Sequence, residues 1–158
     1  MLLHTLRDFP DLLAVAGRNE KIDPGLIEKD YWIMHCLWGL QQQGFVFELK
    51  GGTSLSKGYG LIDRFSEDID ILIHPREDLQ TGPNHNKPAQ VAARLAFFNG
   101  LADTIAIPGI SRAARDTDFD DTRYYRGAGI RLQYDPVHPL PDGLKAGILL
   151  EAGFDQVT

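Results

Sequence analysis

With 158 residues, 43% of them hydrophobic and 24% charged, the chain has the size and balance of one soluble globular domain with its own core. A net charge of −6 excludes a broadly basic nucleic-acid-binding surface, because affinity for phosphate backbones rests on Lys and Arg. The single cysteine, Cys36, excludes an internal disulfide, and no apolar run approaches the roughly 20 residues of a membrane span, so a cytoplasmic protein is expected.

The leucine-rich start "MLLHTLRDFPDLLAVAG" lacks a basic n-region and is broken by Asp8, Pro10 and Asp11, which rules out a secretory signal. Asp23-Pro24 supplies an N-cap and a first-turn proline. Leu26, Ile27, Ile33, Met34, Leu37 and Leu40 then recur at helical spacing until Gly44. His35 and Cys36 on this helix read as packing residues, and Glu28, Lys29 and Asp30 as a structural polar face. "FVFELK", Phe45 to Lys50, predicts a strand, Thr53 to about Tyr59 a short helix, and "DIDILIH", Asp68 to His74, a second strand. The polar stretch Pro75 to Pro88 is expected to be the most mobile loop, followed by a helix over Ala89 to Asp103.

Three further strands are predicted in "IAIPGIS" (105–111), "YYRGAGIRLQY" (124–134) and "LKAGILLEAGF" (144–154), the last two joined by the turn-rich "DPVHPLPDG". Arg112, Arg115, Arg123, Arg126 and Arg131 read as a solvated arginine face. "DTDFDD", Asp116 to Asp121, departs from an EF-hand at Asp121 and Gly127 and reads as a solvated loop. The predicted fold is α/β (α+β), a mixed sheet flanked by helices in one domain over 1–158. Residues 1–44 form a helical lead-in and 45–158 the core.

The chemistry is concentrated in "KGGTSLSKGYGLIDRFSEDIDILI", Lys50 to Ile73. It is not a Walker-type P-loop, because Ser56 stands where the second glycine belongs and Gly58 where the Ser or Thr belongs. Strand alternation puts Asp68 and Asp70 on one side and Ile69, Ile71 and Ile73 on the other. Two carboxylates on one face of an apolar strand repel unless a cation lies between them, and hard oxygen ligands suit Mg²⁺ with substrate phosphates. Gly51 and Gly52 allow close backbone approach to such a phosphate ahead of a helix N-terminus, with Thr53 and Ser54 as hydroxyl donors and Lys57 as a positive charge.

A glycine turn followed, after residues 53–67, by D-x-D on a strand resembles the first motif of DNA polymerase beta-like nucleotidyltransferases. More narrowly, "GGTSLSK", "RFSEDIDILI" and the upstream "IEKDYW" resemble the AbiEii/AbiGii toxin family, over roughly Ile27 to Phe154. The resemblance implies a nucleotidyltransferase fold whose phosphate turn is Gly51, Gly52, Thr53, Ser54 and Lys57 and whose metal pair is Asp68 and Asp70. It further implies a third carboxylate, Glu151, and a basic residue on the strand before it, Arg131 or alternatively Lys145.

The implied activity is two-metal, Mg²⁺-dependent transfer of NMP from an NTP to an acceptor hydroxyl, on RNA such as tRNA. The implied setting is the toxin of an abortive-infection, toxin–antitoxin system directed at phage, with a cognate antitoxin whose direct contact is not required. Alternatives are transfer to a small molecule or protein, or a catalytically silent nucleotide-binding domain. Relatives continue into a helical C-terminal region, so a truncated member with an open site is expected.

Overall fold

The computed structural model describes residues 2–49, 68–75, 79–142 and 147–154, with Asp68 in its backbone alone. The expected Thr53–Tyr59 helix and the phosphate turn lie outside these residues.

The N-terminal segment forms a 3-10 turn, Leu3–Thr5, and helix α1, Phe9–Glu20, which buries Phe9, Leu13 and Gly17. Helix α2, Pro24–Gln42, starts where the N-cap chemistry places it, the Asp23 carboxylate accepting the Gly25 N–H at 2.7 Å. Its Trp32, Ile33, Cys36, Leu37 and Leu40 enter the core, whereas Met34 and Trp38 remain 45% and 40% exposed. Burial pushes the Cys36 thiol up to about 12, which makes it an inert packing residue.

The strands are β1, Phe47–Leu49, and β2, Asp68–Ile73, then β3, Ile110–Asp116, β4, Gly127–Tyr134, and β5, Ile148–Gly153. Helix α3, Pro88–Thr104, lies between β2 and β3 in sequence. Among the described residues they form one sheet in the order β1-β2-β5-β4-β3. β2 and β5 run parallel and every other pair antiparallel. A parallel pair requires a crossover, and the chain between β2 and β5 supplies it with α3, β3 and β4. Ile69, Ile71, Ile73, Ile130, Leu132, Ile148 and Leu150 line the buried face, packed in one cluster with α2 residues and with Phe98 and Leu101 of α3.

The strand expected in "IAIPGIS" is corrected: β3 begins only at Ile110 and runs on through "SRAARD". Ile105 ends α3 and Ile107 is buried in the connector, packed where a β-carbon on Gly39 of α2 would stand. Pro108, with no N–H to give, then separates these core isoleucines from the strand. Apolar character in 105–107 therefore marks burial without strand pairing, and β3 tolerates its arginines because it is an edge strand.

The polar loop expected to be the most mobile makes specific contacts. Over its described residues it wraps two arginines. Arg94 of α3, 0% exposed, donates to the carbonyls of Gln80 (2.9 Å), His85 (2.7 Å) and Tyr124 (3.0 Å) and to Asn86 Oδ1 (3.1 Å). Arg126 donates to the carbonyls of Thr81 (2.7 Å) and Gly82 (2.6 Å) and to Asn86 Oδ1 (2.9 Å). The polar composition of this loop supplies acceptors for one buried and one half-buried guanidinium group.

Glu28 has a comparable structural role at the start of α2. Its buried carboxylate accepts the backbone N–H groups of Val137 and His138, each at 3.0 Å, and the Trp32 indole N–H at 3.2 Å. It thereby fastens the β4–β5 connector to the helix.

Asp30, nearby and half-buried, is desolvated, and its carboxyl is pushed up to about 6. A folded-state value above the ordinary one near 4 means that stability is fully present below about pH 4 and is lost as pH rises through 6. Asp30→Asn is therefore expected to match wild type in urea unfolding at pH 4 and exceed it at pH 8. The gain is about 1 kcal/mol after discounting for solvent screening of a half-exposed group. Equal midpoints at pH 8 would refute this.

Candidate active site

The site is built by strand register. In β2 and β5 the backbone of Asp70 is paired with that of Glu151, Glu151 is paired with Gly129 of β4, and Gly129 with Asp116 of β3. Neighbouring strands lie about 4.8 Å apart, so Asp70 and Glu151 are adjacent on the face opposite the isoleucine core. Among the described residues, α2 and α3 pack on the opposite, isoleucine face. Asp70 is exposed, Glu151 is half-buried, and both line a cavity of about 560 Å³. Asp68 occupies the position of β2 paired with Leu149.

Gly129 keeps the carboxylate row open on the β4 side. A β-carbon there would come within 2.6 Å of the Asp116 carbonyl and 2.8 Å of Phe119 Cβ. The β3–β4 loop can therefore fold down over the sheet, through the 3-10 turn Thr117–Phe119. Asp120 holds it there, one carboxylate oxygen bound to the Arg115 guanidinium and the other accepting the Gly129 N–H at 3.2 Å. Asp121 accepts the backbone N–H groups of Arg123, Tyr124 and Arg126.

Two expectations fall here. "DTDFDD" is not a solvated loop, because Asp116, Asp120 and Asp121 are committed to specific donors. Nor do the arginines form a solvated face. Arg115 pairs with Asp120, Arg131 with Asp116 at 2.8 Å, and Arg126 with the long loop, while Arg112 and Arg123 are exposed. Sequence proximity of these groups signalled pairing, but only the hairpin register of β3 and β4 selects the partners.

The predicted site residues divide accordingly. Asp70 and Glu151, 81 positions apart by number, are brought side by side, and the backbone of Asp68 stands two residues before Asp70 on the same strand. Arg131, paired in register with Leu149, stands two residues along β4 from Gly129. Gly51, Gly52, Thr53, Ser54, Lys57 and Lys145 lie outside the described residues. Among the described residues no group of three His, Cys, Asp or Glu is placed to hold a metal, which leaves Asp70 and Glu151 as the visible carboxylate pair. Reading the sequence did not include Phe119, Asp120 and Asp121 in the site. The signal available was an acidic run placed between two strands.

A mixed sheet of five strands flanked by three helices, with carboxylates adjacent on a parallel pair at its open face, has the architecture of a nucleotidyltransferase-like fold. Compared with known families, residues 36–158 match "Nucleotidyl transferase AbiEii toxin, Type IV TA system", and the chain belongs to this family. The match begins within α2, after "IEKDYW". Comparison with curated proteins gave no match, and comparison with solved structures gave none. The family's members are nucleotidyl transferases that act as toxins of a toxin–antitoxin pair. No helix among the described residues is long and apolar enough to cross a membrane.

Proposed function

We propose that the protein transfers a nucleoside monophosphate from an NTP to an acceptor hydroxyl on RNA such as tRNA, as the toxin of an abortive-infection system acting in the cytoplasm. The observation that supports this is the register pairing of Asp70 with Glu151 on an open sheet face in a chain of this family. Among the described residues the cavity around that pair offers carboxylate oxygens and no His or Cys, a donor set suited to a hard cation. Asp68, Asp70 and Glu151 would hold Mg²⁺. When bound, it supplies a lowered pKa for the acceptor hydroxyl and charge compensation for the leaving pyrophosphate.

The chain's own residues then position the reactants. Gly51 and Gly52 admit the triphosphate to backbone N–H groups, Thr53 and Ser54 donate hydroxyls, and Lys57 adds positive charge. Arg131, tethered by Asp116, is the basic residue beside the carboxylates, with Lys145 as the alternative. The acceptor oxygen forms a bond to the α-phosphorus as the bond to the bridging oxygen breaks. Pyrophosphate leaves with that electron pair, and the hydroxyl proton passes to solvent.

A small molecule or protein as acceptor is the second reading, favoured by the net charge of −6. The test is to incubate the protein with Mg²⁺, each labelled NTP and total tRNA, with EDTA and Asp70→Ala controls. Label is expected on RNA in the wild type only. Label on no RNA, or label that persists in Asp70→Ala, sinks the proposal, and a labelled small molecule or protein selects the second reading.

A further inference from the structure

The register of the open face gives Arg131 two carboxylates within reach. On β4 it is paired with Ala114 of the edge strand on one side and with Leu149 of β5 on the other. Asp116 lies two residues beyond Ala114 and Glu151 two residues beyond Leu149, and both are paired with the same residue, Gly129. Each is therefore a diagonal neighbour of Arg131, about 7 to 8 Å away and within reach of a long side chain. The guanidinium is bound to Asp116, at 2.8 Å. We propose that Asp116 is a positioning residue that holds Arg131 off Glu151, so that the carboxylates of β2 and β5 are left to a divalent cation. The inference rests on the transferase reading for the use of those carboxylates.

A guanidinium hydrogen-bonded to Glu151 would occupy the same anionic oxygens that a cation needs, and charge-assisted Arg–carboxylate contacts are among the strong ones. Phe119 reinforces the separation. Gly129 stands between the two carboxylates in the row, and Phe119 Cβ lies 2.8 Å from where a β-carbon on Gly129 would be. The Phe119 ring thus sits above the gap, with the Arg131 guanidinium 6.0 Å from its centroid, at the edge of cation–π range. Arg131 and Asp116 have side chains only 14% and 20% exposed, so their pair is shielded from solvent in part. The edge strand does not depend on this pair for its place. Its ladder to β4 and the bonds of Arg115 to Asn99 and Asp120 already fasten it.

The experiment measures binding of Mn²⁺ to the whole chain by the electron paramagnetic resonance of the free ion, which needs neither nucleotide nor turnover. The proteins are wild type, Asp116→Asn, Asp116→Ser, Arg131→Gln, the double variant Asp116→Asn/Arg131→Gln, and Asp70→Asn as the control that lacks a cation ligand. Thermal melting of each establishes that it is folded, and the two Asp116 replacements guard against failure of either one. A further double variant, Asp116→Asn/Ala114→Asp, returns a carboxylate to the edge strand directly opposite Arg131. Transfer by Asp70→Asn is measured alongside.

Asp116→Asn and Asp116→Ser are expected to bind Mn²⁺ about tenfold more weakly than wild type, because the released guanidinium must first be displaced from Glu151. Arg131→Gln should bind within about twofold of wild type, and Asp116→Asn/Arg131→Gln should return to that range, since the tether is needed only while the competitor is present. Ala114→Asp should restore binding to Asp116→Asn. A crystal structure of Asp116→Asn should show the Arg131 guanidinium on Glu151. Several results overturn the role: no Mn²⁺ binding by wild type, wild-type binding by the Asp116 variants or by Asp70→Asn, or a gain in Arg131→Gln as large as the loss in Asp116→Asn. The last would be a through-space charge effect without displacement. If Asp70→Asn loses Mn²⁺ yet retains transfer, while the Asp116 variants bind Mn²⁺ weakly, the transferase reading fails and the positioning role stands.

Discussion

Asp70→Asn is expected to lower nucleotidyl transfer by at least about a thousandfold and to leave the melting temperature unchanged or slightly raised. The two halves of this expectation have one cause. Asp70 is an exposed carboxylate paired in register with Glu151 on the parallel neighbour, so the fold holds two like charges together and Asp70 itself adds little packing. Asn keeps the size, removes the repulsion and cannot replace an anionic oxygen ligand. A residue whose removal costs activity and not stability is functional, which separates this site from a structural acidic cluster. Glu151→Gln should likewise lower transfer. Single-turnover transfer and a thermal melt on the same preparations decide the matter: transfer within tenfold of wild type, or loss of the folded state, would contradict the assignment.

The isoleucine–aspartate alternation of "DIDILI" carries in one line both the buried face and the open face of β2, and the structure follows it. The N-cap of α2 was equally legible, and of its periodic positions Ile33, Leu37 and Leu40 are buried while Met34 is exposed, because helix starts and helical periods are local properties and burial is not. What was not legible is the pairing of distant charges. Arg94 gives no local sign that it is fully buried, since its acceptors come from residues 80 to 86 and from Tyr124. The alternation of β3 is hidden for a related reason: an edge strand can carry Arg112 outward and Arg115 against Asp120, so its polar composition resembles a loop. Buried connectors such as Ile105 to Ile107 mislead in the opposite sense. Core burial and strand pairing coincide often, but they have separate causes, and only tertiary packing distinguishes them.

Arg94→Met is expected to destabilise the protein by about 3 to 4 kcal/mol, and to impair the site although Arg94 is absent from the lining of its cavity. The methionine replaces the apolar stem of Arg94 but ends about where the guanidinium begins, so a small void adds to the main loss. The main loss arises because three backbone carbonyls and the Asn86 side-chain oxygen lose their donor inside the fold. A buried acceptor left without a partner costs about 1 to 3 kcal/mol, and partial access to water keeps the sum below the maximum. Arg126 shares Asn86 with Arg94, and Tyr124 precedes it in the segment that leads into Gly127. Loosening Arg94 therefore releases both the long loop and the β3–β4 loop that stands beside Asp70 and Glu151. Arg94→Lys should recover only part of the stability, since an ammonium cannot reach four acceptors with the planar fork. Urea unfolding measures the first effect, and the KM for NTP and acceptor in the surviving folded fraction measures the second. A variant as stable as wild type would show that the four acceptors find other donors and that Arg94 does not couple the scaffold to the site.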